Sequence, residues 1–375
     1  MAVFWNIMFL LPILGTILSF ASAQLDLQLP SLPGTYQVGT VALELKVASN
    51  PRDIMASFFY PADRSCSDLP LAADFPPQSL TYIAAQAGLP PGFSVTVTTQ
   101  AHLKAPISST DFPVLIFSTG YGVSRLLYTA ISEDLASLGY IVVAVDHPLD
   151  APFIEYPDGR FVNITVPTYE DFDAYIPVVD ARVQDVRTVL DNLSNTTFIS
   201  QIPGLKSRGK VQRLQTSKVG ILGHSLGGAT AASAMLADNR FAAGVNLDGS
   251  IVGNVTTVGL SKPFLIMENE FHNRTNDATW AEFWTHLRGF KREIGVLQSK
   301  HGSYSDYLVL LDELIAAGIP VPPEIKDGFG SIDGKRMLNI ESAYVGAFFG
   351  KWLKGKNGKL LDGPSKLFPE VTFVG

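Results

Sequence analysis

Ser225 lies at the centre of a G-x-S-x-G pattern formed with Gly223 and Gly227, an arrangement typical of a serine nucleophile in a tight turn. The apolar stretch Val219–Leu222 precedes the pattern, and a helical segment rich in small residues continues beyond it from Ala229. A strand that enters the turn and a helix that leaves it would expose the serine hydroxyl above the sheet. Backbone N–H groups at the start of that helix would stabilise negative charge on a nearby substrate oxygen. The sequence therefore predicts that Ser225 attacks a carbonyl carbon.

A serine nucleophile needs a histidine base and an acid that orients the base. In hydrolases with this kind of turn, the acid and then the histidine follow the serine along the chain. Three histidines follow Ser225: His272 in a polar loop, His286 in a helical stretch, and His301 directly after the last predicted strand. Because the loop after a late strand is where this order places the base, His301 is predicted to be the base.

Three carboxylates compete for the role of the orienting acid. Asp248 ends the predicted strand Ala242–Leu247, while Glu268 and Glu270 end the strand Pro263–Met267. The carboxyl ends of neighbouring parallel strands meet at one edge of a sheet, so all three side chains are candidates on spacing alone.

Short apolar strands alternate with helical segments through most of the chain. A strand pair is predicted first, at Thr35–Val47 and Ile54–Tyr60. The further predicted strands are Pro113–Phe117, Tyr140–Val145, Val219–Leu222, Ala242–Leu247, Pro263–Met267 and Ile294–Leu297, and the helices are Tyr128–Leu138, Val178–Leu193, Leu226–Ala237 and about Leu338–Leu353. This alternation predicts an α/β fold with a mostly parallel central sheet and helices on both faces. Residues 24–375 are predicted to form a single catalytic domain, with residues 307–334 as a cap segment next to the site.

The composition excludes several classes of protein. The chain has 375 residues, of which 46% are hydrophobic and 17% charged, and a formal net charge of −7. Such a composition argues against disorder, and the acidic balance argues against a nucleic-acid partner. We expect no metal and no cofactor, because no group of His, Cys and Asp has the spacing of metal ligands. The single cysteine, Cys66, precludes an intrachain disulfide.

The first 23 residues have the pattern of a signal peptide. An apolar run over residues 4–20 is followed by Ala21-Ser22-Ala23, a small-x-small cleavage site that would leave Gln24 as the first residue. No later run is long and apolar enough to span a bilayer. Five Asn-x-Ser/Thr sequons agree with a secreted protein and are predicted N-glycosylation sites: Asn163, Asn192, Asn195, Asn254 and Asn273.

Two further features are interpreted as structural. Arg182 and Asp185 stand three residues apart in the predicted helix Val178–Leu193, which favours an ion pair between them over a contact with substrate. His147 ends a strand on the active-site edge, where holding a loop is favoured over lining the pocket.

Several motifs together resemble the platelet-activating-factor acetylhydrolase family, and are similar as well to secreted polyester hydrolases and cutinase-like esterases. The motifs are Phe117–Gly122, Asp134–Tyr140, Val145–His147, Gly223–Gly228, Asn246–Gly249 and His301–Tyr307. The resemblance implies an α/β-hydrolase fold, Asp248 as the acid, and an oxyanion hole formed by the backbone N–H groups of Tyr121 and Leu226. One residue departs from the family pattern, since Thr119 stands where members usually have histidine.

The resemblance implies a secreted serine esterase that hydrolyses carboxylic esters, with short acyl groups of phospholipids or small esters as substrates. The expected partner is accordingly a small-molecule or lipid ester. The alternatives are a polyester or cutin depolymerase, a natural-product tailoring esterase, an acyltransferase, and a non-catalytic binding protein with the same fold. The intact pair of Ser225 and His301 argues against the last of these.

Overall fold

The protein is described here by a computed structural model, which covers residues 24–47, 52–86, 94–148 and 150–374. The predicted signal peptide, residues 1–23, lies outside the described residues.

The described residues form strands and helices that we number in chain order. The strands are β1 Gln24–Gln28, β2 Val38–Leu45, β3 Ile54–Pro61, β4 Leu71–Ala73, β5 Ser94–Leu103, β6 Val114–Ser118, β7 Ile141–Val145, β8 Phe153–Glu155, β9 Phe161–Asn163, β10 Lys206–Ser207, β11 Lys210–Val211, β12 Val219–His224, β13 Phe241–Leu247, β14 Phe264–Asn269, β15 Lys291–Val296 and β16 Val371–Phe373. The helices are α1 Pro77–Gln86, α2 Thr129–Ser137, α3 Ile176–Asn192, α4 Thr196–Ile199, α5 Leu226–Ala237, α6 Val255–Val258, α7 Ala278–His286, α8 Asp306–Ala316, α9 Pro323–Gly328 and α10 Gly334–Lys354.

One 12-stranded sheet organises the fold, in the order β1-β5-β2-β3-β7-β6-β12-β13-β14-β15-β16, with β4 paired to β5. The six central strands, which are β7, β6, β12, β13, β14 and β15 in sheet order, all run parallel. The strand β3 pairs antiparallel with β7 on one side, and β16 pairs antiparallel with β15 on the other. The prediction of an α/β-hydrolase fold with a mostly parallel sheet is confirmed.

The alternation of side chains along β6 shows how both faces of the sheet are covered. Val114 and Ile116 point to one face and belong to an apolar cluster shared with α3, α5 and α7. Leu115 and Phe117 point to the other face and belong to a cluster shared with α2, α8 and α10. All four side chains are apolar and buried, as expected for a strand covered on both faces.

Of the strands that the sequence pattern did not predict, β1, β4, β5 and β16 lie toward the edges of this sheet, whereas β8 with β9 and β10 with β11 form two separate two-stranded sheets. The alternation in β5, whose side chains include Thr96, Thr98 and His102, places polar residues on an exposed face. Such strands lack the continuous apolar run that marks a buried parallel strand.

The predicted cap segment, residues 307–334, contains most of α8 and all of α9. Leu308 and Val309 of α8 are buried in the cluster that α10 shares. Phe329 follows α9, and its ring lies against Gly302, directly beside His301. The segment therefore contacts both the core and the turn that carries His301.

None of the helices in the described residues has the length and apolar character needed to cross a bilayer.

Candidate active site

The predicted site residues follow strands in the parallel part of the sheet, where β6, β12 and β13 are neighbours and β15 is separated from β13 by β14. Tyr121 follows β6, Ser225 follows β12, Asp248 follows β13 and His301 follows β15. Since β6, β12, β13 and β15 run parallel, these residues come together at the carboxyl edge of the sheet, where ligands of open α/β sheets bind.

Ser225 occupies a strained turn between β12 and α5. Its backbone has φ 56° and ψ −126°, a conformation that L-residues rarely adopt. The turn packs so tightly that a Cβ at Gly223 would collide with the Gly227 backbone, and a Cβ at Gly227 with the carbonyl of Ser118. Glycine at both positions is thus a steric requirement, and the turn presents the serine at the N-terminus of α5.

Ser225, His301 and Asp248 form a continuous chain of hydrogen-bonding groups. The Nε2 atom of His301 lies 2.9 Å from Oγ of Ser225, and its Nδ1 atom lies 2.6 Å from Oδ2 of Asp248. The His301 side chain is 40% exposed, whereas the Asp248 side chain is fully buried. This arrangement allows a proton to pass from the serine to an imidazole whose orientation is set by a carboxylate.

Asp248 accepts four hydrogen bonds. Besides His301, its donors are the backbone N–H of Asn269 at 3.0 Å, the side-chain amide of Asn269 at 2.7 Å, and Nδ1 of His272 at 3.0 Å. Burial alone would raise the pKa of Asp248, but the hydrogen bonds and charges of His272 and His301 outweigh burial and hold it well below its usual value. Asp248 is therefore ionised at neutral pH.

The two competing side chains, Glu268 and Glu270, do not act on His301. Burial and the adjacent carboxyl of Glu293 raise the pKa of Glu268 well above its usual value, so Glu268 is protonated at neutral pH. The Glu270 side chain accepts a hydrogen bond from the backbone N–H of Gln298. Among the described residues, Asp248 is the carboxylate that contacts His301.

A second chain of hydrogen bonds links the loop after β6 to His301. The Gly120 N–H donates to the Tyr128 hydroxyl at 3.0 Å, and that hydroxyl lies 2.9 Å from Nδ1 of His224. The Nε2 atom of His224 in turn lies 2.9 Å from the carbonyl oxygen of His301, which can only accept. Burial and the nearby His301 lower the pKa of His224 to about 3, so its ring is neutral. His224 occupies the variable position of the G-x-S-x-G pattern, and nothing in the motif indicates this role.

Arg182 holds the loop that contains Tyr121, and the prediction that it pairs with Asp185 is wrong. Its guanidinium forms two hydrogen bonds with Asp150, and it also donates to the carbonyls of Thr119 at 2.6 Å and Gly120 at 3.1 Å. The N–H groups of Gly120 and Gly122 in this loop also have acceptors, the Tyr128 hydroxyl and the Asp150 carbonyl. Within the described part of the chain, the amide of Tyr121 between them donates no hydrogen bond. The same is true of the Leu226 amide at the start of α5.

Asp185 instead accepts from Arg52 at 2.7 Å and lies 3.0 Å from Nδ1 of His147. The other ring nitrogen of His147 lies 2.8 Å from Oγ of Ser118, at the end of β6. His147 is fully buried, so it joins α3 to the sheet and does not line a pocket. Burial and the positive charge of Arg182 lower the pKa of His147 well below its usual value.

His272, which chain order does not favour as the base, is part of the site because it contacts Oδ1 of Asp248 while His301 contacts Oδ2. His286 lies at the C-terminus of α7 and contacts Glu282 and Thr285 on the surface.

All five predicted glycosylation sites are at least partly exposed. Across the described ranges, no group of three or more His, Cys, Asp or Glu side chains could hold a metal ion.

Comparisons with known proteins agree with this geometry. The profile of the family "Platelet-activating factor acetylhydrolase, isoform II" matches residues 21–156 and 179–357. The chain is 32% identical over 275 residues to an Arthroderma benhamiae protein named "Probable 1-alkyl-2-acetylglycerophosphocholine esterase", covering 70% of this chain and 66% of that protein. It is 26% identical over 312 residues to the platelet-activating factor acetylhydrolase of Cavia porcellus, covering 74% of this chain and 67% of that protein. The matched part thus spans about two thirds of the length of these relatives.

A ferulic acid esterase from Streptomyces cinnamoneus has a similar solved structure. It superposes with a TM-score of 0.76 at 30% identity, covering 93% of this chain and 99% of the esterase. The family profile, the related sequences and the shared fold agree, and the chain therefore belongs to the platelet-activating factor acetylhydrolase isoform II family of α/β-hydrolases.

Proposed function

We propose that this protein is a serine carboxylic ester hydrolase in which Ser225, His301 and Asp248 act as the catalytic triad. The observation that carries the proposal is the pair of contacts made by His301, 2.9 Å from the serine oxygen and 2.6 Å from the carboxylate. Both distances lie in the hydrogen-bonding range that is required between a nucleophile and its base, and between the base and the group that orients it.

In the first half of the reaction, Oγ of Ser225 attacks the ester carbonyl carbon while Nε2 of His301 accepts the hydroxyl proton. The negative charge that forms on the carbonyl oxygen would be stabilised by the amides of Tyr121 and Leu226, which have no other acceptor among the described residues. The intermediate then expels the alcohol, which takes the proton from His301, and leaves an acyl group on Ser225.

In the second half, His301 removes a proton from water, which attacks the acyl carbonyl carbon. The second tetrahedral intermediate releases the carboxylic acid, and His301 returns the proton to Ser225. Asp248 stays ionised throughout, because its hydrogen bonds and the adjacent histidines hold its pKa low, and it stabilises the imidazolium form of His301.

The proposed substrates are esters with short acyl groups, including acetyl groups on glycerophospholipids. The names of two relatives support this choice, since one refers to a 1-alkyl-2-acetylglycerophosphocholine esterase and the other to a platelet-activating factor acetylhydrolase. The similar solved structure is named for ferulic acid, which has an aromatic acyl group. Feruloyl esters are therefore the second substrate class to be tested.

A panel of esters tests the proposal. It contains p-nitrophenyl acetate, butyrate, octanoate and palmitate, a 2-acetyl glycerophosphocholine, and methyl ferulate, each assayed with wild-type protein and Ser225→Ala. We expect the highest kcat/KM on acetyl esters and a loss of about a million-fold in kcat for the variant. Hydrolysis of methyl ferulate in preference to acetyl esters would overturn the substrate class, and full activity in Ser225→Ala would overturn the triad.

We also propose that residues 1–23 are a signal peptide and that the protein is secreted and glycosylated. The apolar run, the Ala21-Ser22-Ala23 sequence and the exposure of the sequons support this proposal. Expression of the full chain in a eukaryotic host should deliver protein to the medium with Gln24 at its N-terminus and a mass that falls on treatment with an N-glycosidase. Retention of the full chain inside the cell would contradict it.

A further inference from the structure

His272 lies between two carboxylates. Its Nδ1 atom is 3.0 Å from Oδ1 of Asp248, and its Nε2 atom is 2.8 Å from Oδ2 of Asp277. The ring also stacks on Trp280 with a centroid separation of 4.2 Å. Both carboxylates are buried, and the His272 side chain is only 19% exposed. The ring is thus held on three sides.

Both contacts of His272 require a donor on the ring, because an ionised carboxylate only accepts hydrogen bonds. A neutral imidazole has one N–H, whereas an imidazolium has two. Asp277 also accepts hydrogen bonds from Ser250 and Thr279, which is consistent with an ionised carboxylate. The geometry therefore requires a positively charged ring.

We propose that His272 is a positioning residue for ester hydrolysis, a permanent imidazolium that fixes the Asp248 carboxylate and sets how strongly that carboxylate raises the basicity of His301. The inference rests on the proposed triad and adds to it a charged series in the order Asp277, His272, Asp248, His301 and Ser225.

The charges around His272 support this role. Asp277, the N-cap of α7, faces one ring nitrogen, and Asp248, after β13, faces the other. Glu268 of β14 is also close, but its raised pKa leaves it uncharged at neutral pH. Burial opposes charge on His272, yet its hydrogen bonds to Asp248 and Asp277 outweigh burial and raise the pKa of His272 to about 10.

The direction of the effect on His301 follows from simple electrostatics. The positive charge of His272 partly offsets the negative charge that Asp248 presents to His301. Without it, Asp248 would stabilise protonated His301 more strongly, so the free base would be reached only at a higher pH. The carboxylate would also lose the partner that fixes its Oδ1 atom, so the imidazole would be less well aligned with Ser225.

The first test is His272→Gln, which retains a hydrogen-bond donor but removes the charge. We expect kcat on p-nitrophenyl acetate to fall about 10- to 100-fold through misalignment of the base, with KM nearly unchanged. The acidic limb of the pH profile of kcat/KM should shift upward by about half a pH unit or more. The matched control is His286→Gln on α7, whose side chain contacts only surface groups of that helix, and its profile should equal that of the wild type.

A second variant keeps the test decisive should His272→Gln fail to fold. Asp277→Asn preserves the N-cap of α7, because asparagine caps helices as well as aspartate does. Removal of this carboxylate should lower the pKa of His272 toward neutrality. A new transition should then appear in the pH profile of kcat between about pH 6 and 9, since His272 now loses its proton in that range.

A spectroscopic measurement separates this inference from the proposed function. Nuclear magnetic resonance of protein labelled in its histidine rings should show His272 protonated at least up to pH 8 in the wild type, whether or not the protein hydrolyses esters. Titration of His272 near its ordinary pKa of about 6.5, or unchanged pH profiles in both variants, would overturn the role of His272. Full activity in Ser225→Ala would instead overturn the triad while leaving the charge of His272 measurable.

Discussion

Arg182 of α3 forms a two-point ion pair with Asp150, with Nε 2.8 Å from Oδ2 and Nη2 2.5 Å from Oδ1. Both side chains are buried. The remaining donors of the guanidinium reach the carbonyls of Thr119 and Gly120, while the carbonyl of Asp150 accepts from the N–H of Gly122. The contacts that this pair makes with the loop therefore hold the backbone on either side of Tyr121.

The first prediction concerns this pair. Arg182→Lys keeps the charge but cannot reproduce the planar fork that contacts one carboxylate and two carbonyls together. The loop should then lose its fixed shape, and kcat on p-nitrophenyl acetate should fall about 10- to 100-fold, because displacement of a donor by about 1 Å is enough for such a loss. Steady-state kinetics at several substrate concentrations would show whether kcat falls, as expected, more than KM rises.

Arg187→Lys is the matched control, because Arg187 lies on the same helix with its side chain 40% exposed. It should retain wild-type kinetics and thermal stability. Equal kinetics in the two variants would show that the Arg182 fork has no part in shaping the loop.

The second prediction distinguishes the three carboxylates that sequence spacing left open. Asp248→Asn should lower kcat about 10⁴-fold, because the amide cannot hold the histidine in the required tautomer. Glu268→Gln should stay close to wild-type activity, since Glu268 is already uncharged at neutral pH. Glu270→Gln should behave similarly, because its partner is a backbone N–H on the surface. Measured kcat values for the three variants check this order, and a larger loss in Glu268→Gln than in Asp248→Asn would contradict it.

Much of this architecture could be predicted from the sequence. The continuous apolar runs at Val219–Leu222 and its neighbours identify strands covered on both faces, and the sheet confirms that prediction. Ser225 and His301 could be nominated because a local motif marks one and chain order marks the other. The role of Asp248 could be predicted only from the family resemblance. Neighbouring strands end at the same edge of the sheet, and spacing does not reveal which carboxylate turns toward the histidine.

The remaining parts of the site depend on contacts between distant parts of the chain. His272 reaches Asp248 only because the loop after β14 folds back toward the end of β13. The spacing of Arg182 and Asp185 suggests an ion pair between them, yet Arg182 pairs with Asp150 and Asp185 pairs with Arg52, each from a distant part of the chain. Helical spacing shows that two side chains are near each other, but tertiary packing decides which charges meet.

The third prediction concerns Gly249, the residue after Asp248. A Cβ at this position would overlap the carbonyl oxygen of Ser225 and crowd the side-chain amide of Asn246, which binds the Gly249 backbone. Gly249→Ala should therefore disturb both the elbow and the acid, and should lower kcat strongly along with the melting temperature. Gly363→Ala is the control, because a Cβ there meets no atom within 4 Å. Equal activity and melting temperature in the two variants would show that the space around Gly249 is larger than described.

The fourth prediction concerns a cluster of five buried carboxyl groups around α2, formed by Asp74, Glu133, Asp134, Asp306 and Glu341. Burial raises the pKa of each, to about 8 for Asp134. Between about pH 4, where these groups titrate in the unfolded chain, and pH 8, the folded protein binds more protons than the unfolded one, so its stability falls as the pH rises. The melting temperature should accordingly be highest at mildly acidic pH and decrease toward pH 9.

Asp134→Asn tests this cause, because the amide has nearly the same shape and no charge to bury. Relative to the wild type, the variant should gain stability as the pH rises from 5 to 9, since it no longer needs to ionise a buried group. Asp68→Asn, which replaces an exposed carboxyl group, should follow the wild-type curve. Melting temperatures measured by calorimetry at intervals of one pH unit would decide the matter. Parallel curves for wild type and Asp134→Asn would mean that Asp134 ionises without cost, and that the pH dependence has its origin in other groups.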